Sequence, residues 1–351
     1  MSKNIVVFSD GTCQEGGKGN NTNVYKLFNM VEDRTRKQIA FYDRGVGTDW
    51  RKITGSLSGS GISKNIKDCY RFIFENFEAE DKIYLFGFSR GATTVRSLSG
   101  FIHLFGILPE SRPELINKAY RIYKIRNKKM RERKAKEFIS KHHTMWTKIQ
   151  MIGVWDTVAA LGTPIKLLNY LLNLIPFFKY KFHDLNVCQS VISGYHALAI
   201  DEKRKVFGPV IWENKKTSYQ KIEQVWFSGS HTDIGGGYKE HELSNISLNW
   251  MIANGLTEGL RIYLKNQVQK TIKPDPDGII HDSSKTLLGR LSPKEIRSWN
   301  KERSGELKIH ESALQRQKNI LNKSSPPYHP WIHDEARKIV KTKKHKNTKK
   351  K

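Results

Sequence analysis

Short apolar runs that alternate with helical patterns constrain the fold of this chain more than any other feature of its sequence. Helical patterns lie between the runs, as at Ile62–Phe77 and Ala92–Leu104. Strands that are apolar along their whole length are typical of a parallel sheet covered by helices on both faces. We therefore predict an α/β fold with a mainly parallel sheet. Five runs predict its strands: Asn4–Phe8, Gln38–Tyr42, Lys82–Phe88, Lys148–Trp155 and Ile222–Gly229.

A Gly-x-Ser-x-Gly motif, Gly87-Phe88-Ser89-Arg90-Gly91, follows the third predicted strand and leads into a helix from Ala92. Strand, tight turn and helix together are the context in which a hydrolase nucleophile is held. The flanking glycines let the chain double back without a Cβ clash, and the helix N-terminus directs amides and a positive dipole at the reacting oxygen. Ser89 is the predicted nucleophile, with an ordinary serine in a glycine-rich turn as the alternative.

A nucleophilic serine needs a general base, and the base needs an orienting carboxylate, in the chain order Ser, Asp, His for this arrangement. Asp156 ends the fourth predicted strand and His231 follows the fifth, so we expect both at the same sheet edge as Ser89. A helix N-cap is the alternative role for Asp156, and a structural or metal-binding role the alternative for His231. His310 is the main rival base, whereas we assign His196 to a helix and a structural role.

The developing oxyanion of such a reaction also needs hydrogen-bond donors. One is expected to be the backbone amide of Arg90, directly after the predicted nucleophile. The other normally comes from the loop after an earlier strand, and here the first strand ends in Asp10-Gly11-Thr12. Gly11 and Thr12 are therefore the predicted second donors.

The chain carries a formal charge of +27, from 61 Lys and Arg against 34 Asp and Glu. This balance indicates an anionic partner, either nucleic acid or an anionic membrane surface, unless the surface lysines serve solubility alone. There is no zinc-finger spacing and no RNA-recognition signature, so nucleic acid is the less favoured partner. The cysteines Cys13, Cys69 and Cys188 form no CxxC pair, which argues against a disulfide scaffold or a zinc site.

The sequence enters a strand pattern at once, without the features of a secretory signal peptide. No uncharged apolar stretch reaches the roughly 18 residues that a transmembrane helix needs. We expect a protein that is cytoplasmic as synthesised, with signal-independent export and peripheral membrane association left open.

We predict a single catalytic domain over residues 1–335, with helical insertions at about 110–145 and 161–215, and a disordered Lys-rich tail over 336–351. The first insertion contains Ala119–His143, whose many Lys and Arg fit a solvated helix better than a binding surface. The second contains Leu161–Phe182, which is too short to span a bilayer. That segment is either a buried helix or an interfacial one beside the active site.

Taken in order, these motifs resemble the uncharacterised α/β-hydrolase domain family whose best-known members are phospholipase effectors of type VI secretion. The resemblance covers roughly residues 3–320 and implies Ser89, Asp156 and His231 as a triad and phospholipid ester hydrolysis as the activity. Because a triad needs no metal, we expect no cofactor or metal. Asp10 is expected to carry the role of the aspartate-rich start of many members. The motifs are Phe8–Thr12, Asn20–Val24, Tyr42–Thr48, Gly87–Ala92, Val154–Val158, Tyr195–Glu202, His231–Tyr238 and Ile309–Ser312.

Two other classes of function also fit parts of the sequence. A metal-dependent phosphohydrolase could use Asp10, Asp156, His231 and Asp233, but aspartate-nucleophile phosphatases need an acidic residue where this chain has Phe8. The segment Gly16-Gly17-Lys18-Gly19 is not a P-loop, because no Ser or Thr follows the lysine. A non-catalytic basic nucleic-acid-binding module fits the charge but leaves the Ser89 turn unexplained.

Overall fold

Within the described part of the chain, nine strands form one sheet. In chain order they are β1 Asn4–Ser9, β2 Arg34–Thr35, β3 Gln38–Asp43, β4 Lys82–Phe88, β5 Ile149–Trp155, β6 Val191–Ala199, β7 Lys221–Phe227, β8 Leu307–His310 and β9 Arg337–Val340. Across the sheet their order is β2-β3-β1-β4-β5-β6-β7-β8-β9. β2 is antiparallel to β3, and every other neighbouring pair is parallel. The computed structural model describes residues 2–11, 16–17, 19–45, 60–109, 112–158, 185–263, 270, 272–286, 289–290, 292–320, 328–334 and 337–342.

Helices cover both faces of this sheet, because alternate residues of each strand point to opposite sides. On one face Ile5 and Leu85 pack in a core with the helices Ser60–Asn76 and Arg90–Phe105. On the other, Phe8 and Phe86 belong to a second core that includes residues of Asn23–Phe28 and Glu242–Thr257. The α-helices are Asn23–Phe28, Ser60–Asn76, Arg90–Phe105, Pro113–Tyr123, Lys128–His142, His231–Gly235, Glu242–Thr257, Lys301–Ser304 and Glu311–Ile320.

The predicted α/β fold with a mainly parallel sheet is confirmed. The chain passes from β1 outward to β3, then returns to the other side of β1 to form β4. Such a reversal of strand order opens a crevice at the carboxyl ends of the two strands involved. Asp10 follows β1 and Ser89 follows β4, so the crevice lies beside residues that the sequence analysis assigns to the site.

Our assignment of residues 161–215 to a helical insertion, with His196 in a helix, is wrong for its central part. Val191–Ala199 is a strand that lies between β5 and β7. It is buried almost throughout, so its sequence shows no alternation of polar and apolar residues. A short apolar run of this kind does not distinguish a strand from a buried helix.

Two smaller corrections concern the helical hairpin and the C-terminal segment. The basic stretch 119–143 belongs to two helices, and Asn127 caps the second by accepting a hydrogen bond from the Met130 amide. Part of the predicted disordered tail is ordered, since Arg337–Val340 pairs with β8. Residues 161–182 and 343–351 lie outside the described residues. None of the described helices is both long and apolar enough to cross a membrane.

Candidate functional site

Ser89 occupies the sharp turn between β4 and the helix Arg90–Phe105, with a positive φ of 57°. Such a conformation is strained for a residue with a Cβ. The glycines on either side allow it: a Cβ on Gly87 would lie 2.6 Å from the Gly91 carbonyl oxygen, and one on Gly91 would lie 2.1 Å from that of Ser9. The motif therefore packs the turn tightly against the end of β1.

The imidazole of His231 lies between Ser89 and Asp156. His231 Nδ1 is 2.6 Å from Asp156 Oδ2, and His231 Nε2 is 2.9 Å from Ser89 Oγ. An ionised carboxylate only accepts hydrogen bonds, so Nδ1 donates to Asp156 and Nε2 is left to accept from the serine hydroxyl. The three side chains are nearly inaccessible to solvent. This chain of hydrogen bonds is the geometry that nucleophilic acyl transfer requires.

Asp156 follows β5 and also has a positive φ, 38°. Both of its oxygens are saturated: Oδ1 accepts from the Ala199 amide at 3.0 Å, and the guanidinium of Arg297 donates to Oδ1 at 2.7 Å and to Oδ2 at 2.9 Å. Burial would raise the pKa of Asp156, but the charge and hydrogen bonds of Arg297, with those of His231, hold it below the usual range. Asp156 is therefore an ionised, fixed acceptor.

His231 begins the short helix His231–Gly235 directly after β7. Its backbone amide donates to Glu202 Oε2 at 3.2 Å, and its ring contacts Phe88 and Phe207 at centroid distances of 4.6 and 4.9 Å. Asp233 accepts from the Ser230 amide at 2.9 Å, which fixes the start of the helix. The orientation of the imidazole is thus set on several sides.

Gly11, a predicted oxyanion donor, lies beside the serine, since a Cβ on it would be 3.6 Å from Ser89 Cβ. In this structure its amide donates to Asp10 Oδ1 at 2.6 Å. Arg90 opens the helix after Ser89, where the first amides have no intrahelical acceptor. Thr12, the other predicted donor, lies outside the described residues.

Asp10 is buried at the end of β1 and binds no cation among the described side chains. The hydroxyls of Thr22 and Tyr42 each donate to Asp10 Oδ2 at 2.6 Å. Burial raises the pKa of Asp10 to about 6, although these hydrogen bonds and that from Gly11 lower it. The carboxyl group ties together the ends of β1 and β3 and the start of the first helix.

The structure does not bring His310 to Ser89. Its ring nitrogens contact Ser312 Oγ and Thr342 Oγ1, each at 2.9 Å, and the ring stacks on Phe227. His196, on β6, hydrogen-bonds the Thr157 amide through Nε2 at 3.1 Å. Burial lowers the pKa of His310 to about 4 and that of His196 to about 3. Both are buried neutral side chains with structural partners.

The four ligands predicted for the phosphohydrolase alternative do not converge. Asp10 accepts from Thr22 and Tyr42, and Asp156 is held by Arg297. Asp233 lies 2.6 Å from His281 Nδ1 through Oδ1 and accepts from Ser230 through Oδ2. Across the described ranges, no group of three or more His, Cys, Asp or Glu side chains is arranged to hold a metal ion. The geometry of these residues gives that alternative no site.

Arg297 is the residue of this site that sequence reasoning missed. It lies in an irregular segment between two short helical turns and has no strand pattern before it. Its side chain is nevertheless buried, with 4% of its surface exposed. Among 61 basic residues, nothing in its sequence neighbourhood distinguishes it.

A family model for the Tle1-like phospholipase effector catalytic domain of the type VI secretion system matches residues 3–254. The uncharacterized protein YEL023C of Saccharomyces cerevisiae (strain ATCC 204508 / S288c) is 33% identical over 138 residues, which are 34% of this chain and 20% of that protein.

Two solved structures are also similar. An uncharacterized protein from Pseudomonas aeruginosa has 14% identity and a TM-score of 0.48, with 79% of this chain and 49% of that chain covered. The Tle1 effector bound to the VgrG spike of the type 6 secretion system has 19% identity and a TM-score of 0.39, with 68% and 52% covered. This chain spans about half the length of each of these structures.

Proposed function

Because the chain belongs to the family of Tle1-like phospholipase effector catalytic domains of type VI secretion, we propose that it hydrolyses carboxylic esters of phospholipids through a Ser89–His231–Asp156 triad. One observation carries the proposal. The hydroxyl of Ser89, both nitrogens of His231 and the carboxylate of Asp156 form a continuous hydrogen-bonded chain, with spacings of 2.9 and 2.6 Å. The strained serine conformation at a helix N-terminus is the second support.

In the proposed reaction, His231 Nε2 takes the proton of Ser89 as Oγ attacks the ester carbonyl carbon. The Asp156 carboxylate holds Nδ1–H and stabilises the imidazolium that results. The oxyanion binds the Arg90 amide and a donor from the Gly11–Thr12 loop. His231 then protonates the leaving alcohol as the acyl–oxygen bond breaks. Water then attacks the acyl carbon as His231 takes its proton, the bond between that carbon and Ser89 Oγ breaks, and His231 returns the proton to Oγ as the fatty acid leaves.

The lipid part of the proposal is supported by the family and by a basic surface. The helices Pro113–Tyr123 and Lys128–His142 form a hairpin whose groove, of about 550 Å³, has apolar side chains between basic ones. Lysines and arginines near an anionic bilayer each add about 1 kcal/mol of attraction, screened by salt. We propose that this surface favours anionic membranes. The basic residues of the groove include Lys118, Arg121, Lys134 and Lys141.

The deciding experiment combines covalent labelling with turnover of a soluble short-chain ester. A fluorophosphonate should label the wild type on Ser89, and Ser89→Ala should lose both label and turnover, on the order of 10⁴- to 10⁶-fold. His231→Ala should approach the same defect, and the double variant should be little worse, because triad members act as a unit. His310→Ala is the matched control and should keep its turnover. The opposite result for the two histidines would move the base to His310, and full turnover of a folded Ser89→Ala would end the serine-hydrolase proposal.

The substrate is tested separately, with vesicles of neutral or partly anionic phospholipid at low and high salt. We expect release of fatty acid, faster from the anionic vesicles and slowed by salt. Activity in EDTA should be unchanged, because the triad uses no metal; loss that a divalent ion restores would favour the phosphohydrolase alternative. Turnover of the soluble ester without any lipid hydrolysis would retain the triad and reject phospholipid as substrate.

A further inference from the structure

Each terminal nitrogen of the Arg297 guanidinium makes two hydrogen bonds, although this side chain lies outside the proposed triad. Besides the two hydrogen bonds to Asp156, Nη1 donates to the Ala199 carbonyl and Nη2 to the Phe207 carbonyl, each at 2.7 Å. The guanidinium thus links the end of β6, the Phe207 loop and the Asp156 carboxylate. A bidentate fork of this kind fixes the rotation of a carboxylate as well as its position.

We propose that Arg297 is a positioning residue for hydrolysis at Ser89: it clamps the Asp156 carboxylate in the orientation and ionisation state that His231 needs. The inference rests on the proposed function, since it gives Arg297 a role only through that triad. Arg297 is buried, and its hydrogen bonds go to Asp156 and to two backbone carbonyls, not to Ser89 or His231. Its effect should therefore fall on the chemical step rather than on substrate binding.

The electrostatic reason for a cation at this place is the complete burial of Asp156. A carboxyl group without a nearby positive charge in such surroundings tends to take up a proton. A protonated Asp156 would neither hold the correct tautomer of His231 nor stabilise its imidazolium. The guanidinium prevents this while leaving Oδ2 within 2.6 Å of His231 Nδ1.

The segment that carries Arg297 is itself attached to the site. The Lys205 amide donates to the Pro293 carbonyl and the Glu295 amide to the Lys203 carbonyl, each at 2.8 Å. Phe207, whose carbonyl binds Arg297, places its ring against His231. Arg297 lies beyond residue 254, where the family-model match ends. A residue outside the matched segment thus completes the arrangement around the carboxylate.

Other titratable groups lie near this pair among the described residues, but none of those named below forms a bidentate ion pair with Asp156. His231 is the partner already described. Burial keeps the His196 imidazole neutral, with a pKa of about 3. Glu202 accepts the His231 amide and is itself paired with Arg204, with Nε and Oε1 2.8 Å apart. Arg297 is therefore the cation positioned to act on Asp156.

The test uses Arg297→Met and Arg297→Lys in the full chain, with a soluble short-chain ester. For Arg297→Met we expect kcat to fall about 10- to 1,000-fold with little change in KM, less than the roughly 10⁴-fold loss typical when a triad carboxylate is removed. The acid limb of its pH–kcat/KM profile should move to higher pH. Loss of the cation makes the state in which Asp156 is ionised and His231 is neutral less favourable, so a higher pH is needed to populate that state. Arg297→Lys keeps the charge but not the fork, so it should lose kcat and keep the wild-type limb.

In a third variant, Arg297→Ala, millimolar guanidinium should restore part of the lost kcat, and urea at equal concentration is the control that should not. Arg96→Gln is the matched variant, because Arg96 is also buried but donates to the carbonyl of Val210. It should lose stability without moving the pH limb. The inference would be overturned if the acid limb of the pH–kcat/KM profile did not move in Arg297→Met. If Arg297→Met does not fold, an undiminished kcat in Arg297→Lys would overturn it instead. If Ser89→Ala keeps full turnover, the proposed function fails first, and the two failures are told apart.

Discussion

Two buried carboxyl groups, Asp156 after β5 and Asp10 after β1, flank Ser89, the proposed nucleophile, and their hydrogen-bond partners differ. Asp156 faces a guanidinium, whereas Asp10 faces two hydroxyls and an amide. Burial acts to raise the pKa of both. It prevails at Asp10, where the pKa rises to about 6, and is outweighed at Asp156, where the pKa falls below its usual range.

The difference indicates that hydrogen bonds from neutral donors offset the effect of burial on the pKa of Asp10 less fully than the guanidinium does for Asp156. Environments that separate the pKa values of neighbouring acids also separate their roles. On this basis Asp156 is the charged partner of His231, and Asp10 is a structural acid that holds the loop beside Ser89.

The sharpest test of this division compares Asp156→Asn with Asp10→Asn. We expect Asp156→Asn to lose about 10³- to 10⁴-fold in kcat, because the amide favours the wrong tautomer of His231. Asp10→Asn should lose about tenfold or less, the equivalent of one weakened hydrogen bond. Turnover of a soluble ester by both variants, with circular dichroism to check the fold, measures the contrast. Equal losses would mean that Asp10 takes part in the chemistry and that the division of roles is wrong.

The sequence predicts the residues on one side of Asp156 but not the arginine on the other, for a physical reason. Ser89, Asp156 and His231 each follow an apolar strand, and the carboxyl ends of parallel strands meet at one edge of a sheet. Their proximity could therefore be predicted from local patterns. Arg297 follows no strand, and its place depends on long-range packing of residues after 290, so no local signal indicates it.

The fold shows the same limit. The strand Lys82–Phe88 was predicted to the residue because a glycine-flanked turn marks its end. Val191–Ala199 was missed because a central strand is buried on both faces and loses its alternation. β8 and β9 have four residues each, too few to produce a recognisable pattern.

A second prediction concerns stability, where the pKa difference has a definite sign. Asp10 has a pKa of 3.8 without the fold and about 6 within it. Folding therefore favours the protonated form of Asp10. The contribution of this residue to the free energy of unfolding is fully present below about pH 4 and is lost as the pH rises through 6. We compare the free energy of unfolding of Asp10→Asn with that of wild type. The difference should shift in favour of Asp10→Asn by on the order of 2 kcal/mol as the pH rises from 4.5 to 7.5.

Urea unfolding across this pH range measures the gain. Asp81→Asn is the control, because Asp81 is also buried but forms an ion pair with Lys3 at 2.7 Å. Its difference from wild type should stay level over the same range. Asp43, whose pKa burial raises to about 7, is present in every variant and so contributes equally. A level difference for Asp10→Asn would mean that Asp10 stays ionised and resembles Asp156 after all.

The smallest expected effect comes from the hydroxyl of Tyr42. It donates to Asp10 Oδ2 at 2.6 Å and lowers the pKa of Asp10, so Tyr42→Phe should raise that pKa further. The hydrogen bond is stronger to the ionised carboxylate than to the protonated acid. Tyr42→Phe should therefore cost about 1 kcal/mol of unfolding free energy at pH 7.5 and less at pH 5. Tyr25→Phe serves as the control, because its ring packs edge-on against Tyr42 at 5.1 Å and its hydroxyl is not a donor to Asp10. A loss of unfolding free energy that is independent of pH and equal in both variants would contradict this. It would show that Tyr42 contributes only packing and that its hydroxyl does not lower the pKa of Asp10.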